Sequence, residues 1–369
     1  MQKRWLAILL AAMLTVSMTA CGSGDTNNDS TSDKTDQNQT TGDQTANTGV
    51  GNSDVEYTEI TLNIAGSAAE SHPVSQGMLY WEKLVEERSG GAVQVEAFLN
   101  ATFGTGTAII ESIQSGSVQL GEGSLSSFAT FCPDTQYTGI PFAFDSREHA
   151  YAWTETEFAQ ALHEEVVKTS NMYILGWFEN GIRMLSNNKH PVTCPDDLKG
   201  LKIRVIDSPI YIEMFTRMGA SAMPMAYSEV YTALQQGTVD GQDNPYPTFT
   251  ATKYYEVQSY FTDLSHTFDF TVFFIGNDVL ESVNDATREL FIECGKEAEQ
   301  YQHDLTIQEE DGMIKTIQDN GVEMYWLSED ERALFKEAVG DMSGWFAQNV
   351  DAVLSWDDFQ ASLEESRPA

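Results

Sequence analysis

Arg204 is the residue on which a chemistry can be built. It stands in Leu201-Lys202-Ile203-Arg204-Val205, which alternates as a strand and puts Lys202 and Arg204 on one face. A guanidinium in an apolar strand needs an anion, because an isolated buried charge is costly. That anion is either a nearby acid of the chain or a ligand carboxylate, whose two oxygens match the guanidinium fork. Arg183 is a second candidate, in Glu179-Asn180-Gly181-Ile182-Arg183. Asn244 lies in Asp240-Gly241-Gln242-Asp243-Asn244-Pro245, a run of turn residues whose side chains also bond hydroxyls and carboxylates. Tyr227 and Tyr246 either cover a ligand's apolar face or fill the core. The polar loop 66–73 holds Glu70 and His72; the histidine is a ligand contact, a general base or a plain loop residue. Ser124 belongs to Glu122-Gly123-Ser124-Leu125-Ser126, where a ligand loop is expected after a third strand.

Signals for catalysis are poor. The chain has no G-x-S-x-G, H-E-x-x-H or P-loop. Gly104-Thr105-Gly106 opens like a dinucleotide loop, but Ile109 stands where its last glycine belongs. The turn 240–245 lacks the spacing of a calcium loop. No C-x-x-C or Cys/His cluster suggests zinc, so neither metal nor cofactor is expected. Acid pairs abound among 56 Asp and Glu residues, so a glycosidase-type pair is not excluded by counting. The net charge of −36 argues against a nucleic-acid partner and against binding to anionic lipid surfaces. An acidic chain that binds an anion must shelter it in a local positive pocket.

The first twenty residues read as a signal peptide. Lys3 and Arg4 precede an apolar run over 6–16, too short for a permanent span. Ala20-Cys21 resembles a bacterial lipobox, with Cys21 as the lipidated first residue of the mature chain. An ordinary signal peptide with an incidental cysteine is the alternative. Residues 22–54 are almost free of apolar side chains and form a polar tether, unable to offset their chain entropy by burial. Cys132, Cys194 and Cys294 remain, as buried thiols or as one disulfide and one thiol.

Hydrophobic periodicity supplies the elements that position these side chains. Strands are expected over 55–65, 92–98 and 118–121, with helices over 75–88 and 107–114 between them. This β-α-β-α-β order is the pattern of a parallel sheet. A single helix over 147–168 precedes a central apolar strand over 172–178. Strands follow over 181–186 and 201–205, and helices over 208–218 and 227–236. An apolar strand over 268–275, an unusually long helix over 284–316, a strand over 322–327 and a last helix over 329–349 complete the chain. Two sets of βα units joined by long elements imply two α/β lobes, with a ligand in the crevice at the strand ends.

In this order the motifs resemble the substrate-binding proteins of tripartite ATP-independent periplasmic (TRAP) transporters, the DctP-like group. The most specific are Asp197-Leu198-Lys199-Gly200-Leu201-Lys202-Ile203-Arg204-Val205, the run 227–237, and Val239-Asp240-Gly241-Gln242-Asp243-Asn244-Pro245. Pro141-Phe142-Ala143-Phe144 and Glu148-His149-Ala150 are similar to a further family segment. The resemblance covers residues 58 to the end. It implies a periplasmic-binding-protein-like α/β fold, with a ligand cleft between two lobes and long elements crossing the hinge. We expect lobe I over 55–181 plus 270–309, and lobe II over 182–269 plus 310–365. The resemblance also implies that Arg204 pairs with the ligand carboxylate, with Arg183 as a second cationic contact. Asn244 would hydrogen-bond the ligand, and Tyr227 would pack on it. The implied partner is a membrane permease pair driven by an ion gradient. Departures from the pattern at 98–104 and 121–126 place specificity in the stretch 66–126.

The expected function is therefore an extracytoplasmic, lipid-tethered, monomeric receptor for a small organic acid, either a C4-dicarboxylate or a sugar acid such as a uronate. The rival is a secreted hydrolase or lyase acting on acidic carbohydrate, with His72 and a carboxylate as acid and base.

Overall fold

The computed structural model describes residues 55–368. The expected signal peptide, Cys21 and the polar tether lie outside these residues. Among the described residues there are eleven strands. They are β1 (Ile60–Ala65), β2 (Val93–Phe98), β3 (Leu120–Ser124), β4 (Met172–Ile182), β5 (Met184–Asn187), β6 (Lys202–Val205), β7 (Ser221–Pro224), β8 (Gly241–Asn244), β9 (Tyr260–Asp263), β10 (Phe268–Gly276) and β11 (Glu323–Trp326). The helices are α1 (Pro73–Arg88), α2 (Thr107–Gln114), α3 (Arg147–Thr154), α4 (Glu157–Ser170), α5 (Pro209–Arg217), α6 (Val230–Gln235), α7 (Tyr246–Ala251), α8 (Asn277–Ser282), α9 (Asp285–Asp319), α10 (Glu329–Val339), α11 (Ser343–Asn349) and α12 (Trp356–Glu365).

The strands form two sheets, ordered β2-β1-β3-β10-β4 and β11-β9-β5-β8-β6-β7. In the first sheet β1 pairs parallel with β2 and β3, whereas β10 is antiparallel to both of its neighbours. Strand β10 is buried along its whole length, as its unbroken apolar sequence requires. The chain passes from the first sheet to the second between β4 and β5, and returns between β9 and β10. The two crossings are stitched by the Arg183 N–H on the Thr267 carbonyl at 2.9 Å. Gly181 has φ +110 at the first crossing, a conformation that a side chain would strain. Helix α9 is a third long connection, about 52 Å at 1.5 Å per residue. Its N-terminal part packs on α1, where Trp81 donates to the Phe291 carbonyl at 3.1 Å. Its later residues Met313 and Ile317 join the core of the second sheet. Among the described residues no helix is long and apolar enough to cross a membrane.

Several elements differ from their sequence-based expectations. The single helix over 147–168 is two, because Thr156 caps the start of α4 by accepting from the Ala159 N–H. The third strand runs to Ser124, three residues past its expected end, because β10 supplies hydrogen bonds that Gly-Glu-Gly-Ser does not advertise. The helix expected over 227–236 begins at Val230 after a tight turn, Tyr227–Glu229. The last helix expected over 329–349 is broken at Gly340 into α10 and α11, and α12 follows. The C-terminal segment also divides in space. Strand β11 pairs with β9 in the second sheet, whereas α12 lies against α3 and α4. Phe359 of α12 packs at a tilt against Tyr137 and Phe158, and Ser362 accepts from the Trp153 indole at 2.9 Å, which draws the chain back to the first sheet. Cys132 and Cys294 are buried and Cys194 half-buried, all three as free thiols.

Candidate functional site

A cavity of about 370 Å³ opens where the carboxyl ends of strands from both sheets converge. This is where ligands bind in open α/β sheets. The second sheet brings Arg204 to it from β6 and Asn244 from the end of β8. Arg204 is 3% exposed, held between β7 and β8. Its Nε and Nη2 both donate to the Met225 carbonyl, at 3.0 and 2.7 Å. That leaves two hydrogens on Nη1 and one on Nη2, enough for a bidentate carboxylate. No carboxylate of the described residues forms an ion pair with it. Burial pulls its pKa down, and Asp243 acts on it only from a distance. It is a buried cation whose charge no carboxylate of the described residues matches, and it lines a cavity.

Arg183 lines the same cavity but differs in state. Its Nε donates to Asp243 Oδ2 at 2.7 Å and its Nη1 to Asp269 Oδ2 at 2.6 Å. Its Nη2 serves the Asp243 carbonyl and Asn244 Oδ1. Burial opposes its charge, but Asp243 and Asp269 outweigh it and raise its pKa. The cluster holds one cation against two carboxylates, and one Nη1 hydrogen remains free. Asp243 lies on β8 and Asp269 on β10, so Arg183 ties the two sheets at the crossing. The backbone register shifts between Asp269 and Phe270, which turns Asp269 toward this cluster.

Asn244 is oriented from both sides. Its Oδ1 accepts from Arg183 at 3.3 Å, and its Nδ2 donates to Gln242 Oε1 at 2.5 Å, leaving one amide hydrogen. Tyr227 lines the cavity half-buried, its hydroxyl 2.6 Å from that of Thr252. Tyr246 does not: it is buried and stacked on Phe261 in the core.

The first sheet contributes the other wall. Ser67 and Ala68 follow β1, Glu122 to Ser124 end β3, and Thr105 to Ala108 lead into and begin α2. Ser124 donates to Asp269 Oδ1 at 2.6 Å. His72 caps α1, its Nδ1 accepting the Val74 N–H at 3.2 Å. Its proton is thus on Nε2, 3.4 Å from Thr248 Oγ1. Burial lowers its pKa to about 4, so it is a neutral donor at pH 7. Glu70 lies outside the cavity lining, exposed, with its carbonyl accepting from Gln76. Asn180, Thr248, Asp269 and Glu122 also line the cavity, and sequence reasoning did not single them out. Glu122 entered only as part of the ligand loop expected over 122–126; its own signal is an acid between two glycines. Among the described residues no group of three or more His, Cys, Asp and Glu is placed to hold a metal ion.

Residues 64–348 match the family profile described as bacterial extracellular solute-binding protein, family 7. A solute-binding protein of Verminephrobacter eiseniae is 34% identical over 239 residues, 65% of this chain and 71% of the relative. A TRAP periplasmic solute-binding protein of Bordetella bronchiseptica, with density assigned as pantoate, is 30% identical with a TM-score of 0.78, covering 84% of this chain and 99% of that one. The sugar acid binding protein of Advenella mimigardefordensis, in complex with galactonate, shares the fold at 23% identity and a TM-score of 0.81, covering 85% of this chain and all of that one.

Proposed function

The chain belongs to family 7 of the bacterial extracellular solute-binding proteins, the DctP family of TRAP transport, and from that membership we propose that it captures a small organic acid by its carboxylate on Arg204. The observation that carries this reading is the charge state of the two arginines. Arg183 is matched by two carboxylates, whereas Arg204 is buried, lines the cavity and has no acid to pair with among the described residues. A receptor that keeps one desolvated guanidinium unpaired has a preorganised half of a bidentate pair. Pantoate in the Bordetella relative supports the same class of ligand.

The other residues take graded roles in this proposal. Asn244 donates its remaining amide hydrogen to the ligand. Arg183 offers at most one N–H and acts mainly by positioning Asn244 at the crossing between the sheets. Tyr227 packs on the ligand, and Ser124 and the His72–Thr248 pair complete the polar wall. Closure is a rotation of one sheet toward the other about the crossings at 182–184 and 264–267, with ligand contacts on both sides favouring the closed form.

Membership in this family places the protein outside the cytoplasm. We propose further that Cys21 carries a lipid anchor, that residues 22–54 tether the receptor to the membrane, and that its cargo passes to a TRAP permease driven by an ion gradient. Mass spectrometry of the mature N-terminus tests the anchor: an unmodified Cys21 contradicts it. The hydrolase reading needs His72 as a base, but its Nδ1 already accepts a backbone N–H and its Nε2 is a donor.

Calorimetric titration tests the clamp. D-galacturonate and succinate are compared with neutral D-galactose, on the native protein and on Arg204→Ala. Acid binding that is lost in the variant, with galactose silent throughout, is the expected result. Acid binding that survives the loss of Arg204 contradicts the proposal.

A further inference from the structure

We infer that the cavity selects a polyhydroxylated monocarboxylic acid, such as an aldonate or uronate, over a dicarboxylate, with Glu122 receiving the ligand's hydroxyls from the first-sheet wall. The inference rests on the reading of the cavity as an organic-acid site and narrows it.

The charges around the cavity decide between the two classes. Its lining holds two cations, Arg183 and Arg204, and four acids, Glu111, Glu122, Asp207 and Asp269. Arg183 and Asp269 are paired with each other. One monocarboxylate uses Arg204 fully. A second carboxylate finds no free Lys or Arg among the described residues that line the cavity, which also holds Glu122, Glu111 and Asp207. The start of α2 offers about half a positive charge, offset in part by Glu111, an exposed acid of the same helix.

Glu122 itself asks for hydroxyls. It is 5% exposed, lines the cavity, and no Lys or Arg of the described residues pairs with it. Its Oε1 accepts the Ser67 N–H at 2.6 Å. An ionised carboxyl accepts about four hydrogen bonds, so most of its capacity remains. Its remaining acceptor positions open to the cavity, and hydroxyl groups are donors that fill them without bringing charge. Burial also raises its pKa. A hydroxyl suits both forms, since it donates to the carboxylate and accepts from the acid. A second ligand carboxylate suits the acid alone. Thr105, Thr107 and Ser127 on the same wall add neutral polar groups, in keeping with a polyol rather than a second anion.

The experiment is competitive calorimetry on the full chain at pH 8, after removal of bound solutes by unfolding and refolding. The probes are D-galactonate, D-gluconate, D-glucuronate, D-pantoate, succinate and hexanoate. At least one hydroxylated monoacid should bind at least about 100-fold tighter than succinate, as a site built for ligand hydroxyls demands. Glu122→Gln and Glu122→Ala should each weaken that ligand at least tenfold and leave succinate unchanged or tighter. Succinate that equals or exceeds every hydroxylated acid overturns the inference but leaves the Arg204 clamp standing. Hexanoate that matches the best sugar acid also overturns it, since hydroxyls would then contribute nothing. If none of the six binds, the organic-acid reading itself falls.

Discussion

Replacing each of the two cavity arginines by methionine should have opposite consequences. Arg183→Met removes the cation between Asp243 and Asp269, both buried, and leaves their charges facing each other. Breaking a buried pair in this way costs about 3–5 kcal/mol of folding stability. Arg204→Met removes a buried cation with no carboxylate partner among the described residues. It orphans the Met225 carbonyl, a loss of about 1–3 kcal/mol, but it also abolishes the desolvation of a charge, worth several kcal/mol. These effects oppose, so the ligand-free stability should move by no more than about 2 kcal/mol in either direction. Binding should fall steeply instead, because a bidentate charged contact contributes about 2–5 kcal/mol, which is about 30- to 5,000-fold in Kd. Urea denaturation of the ligand-free proteins and calorimetry with the best-binding acid read the two effects separately. Arg204→Met that unfolds as readily as Arg183→Met yet keeps its affinity would refute the assignment of roles.

Three further changes probe the frame. Burial pushes Glu299 up to about 7, so its folded form holds a proton that the unfolded chain, with its ordinary pKa, releases. Its contribution is fully present below about pH 4.5 and is lost as the pH rises through 7, a fall of about 3 kcal/mol. Glu299→Gln should flatten thermal stability over that window; an unchanged profile counts against it. Gly241→Ala would drive a Cβ into the Ser186 carbonyl oxygen where β8 meets β5, and should destabilise by about 1–3 kcal/mol in chemical denaturation. Thr156→Ala removes the cap that separates α4 from α3, and should cost about 1 kcal/mol; no loss would show that the break has another cause.

Much of the second-sheet half of the site was legible in the sequence. Arg204, Asn244 and Tyr227 sit on short local patterns, a strand, a turn and a tight helical turn, and each lines the cavity. Arg183 reads the same way as Arg204 in sequence. Only the convergence of Asp243 from β8 and Asp269 from β10 on its guanidinium shows that its charge is matched. Tyr246 and Tyr227 are likewise indistinguishable until Phe261 claims Tyr246 for the core. The first-sheet half was less legible because β10, distant in sequence, inserts between β3 and β4. That pairing extends β3 to Ser124, turns Asp269 inward and aligns Glu122 with the cavity. The C-terminal helix α12 escaped notice because its register is set by an aromatic cluster contributed from residues 137–158.

The central claim is that a ligand carboxylate completes the pairing of Arg204. A crystal structure of the protein with its tightest-binding acid tests it most directly. The account predicts both carboxylate oxygens at about 2.7–2.9 Å from Nη1 and Nη2 of Arg204, with Arg183 still held by Asp243 and Asp269. A bound acid whose carboxylate lies elsewhere, with Arg204 paired to no anion, would contradict it.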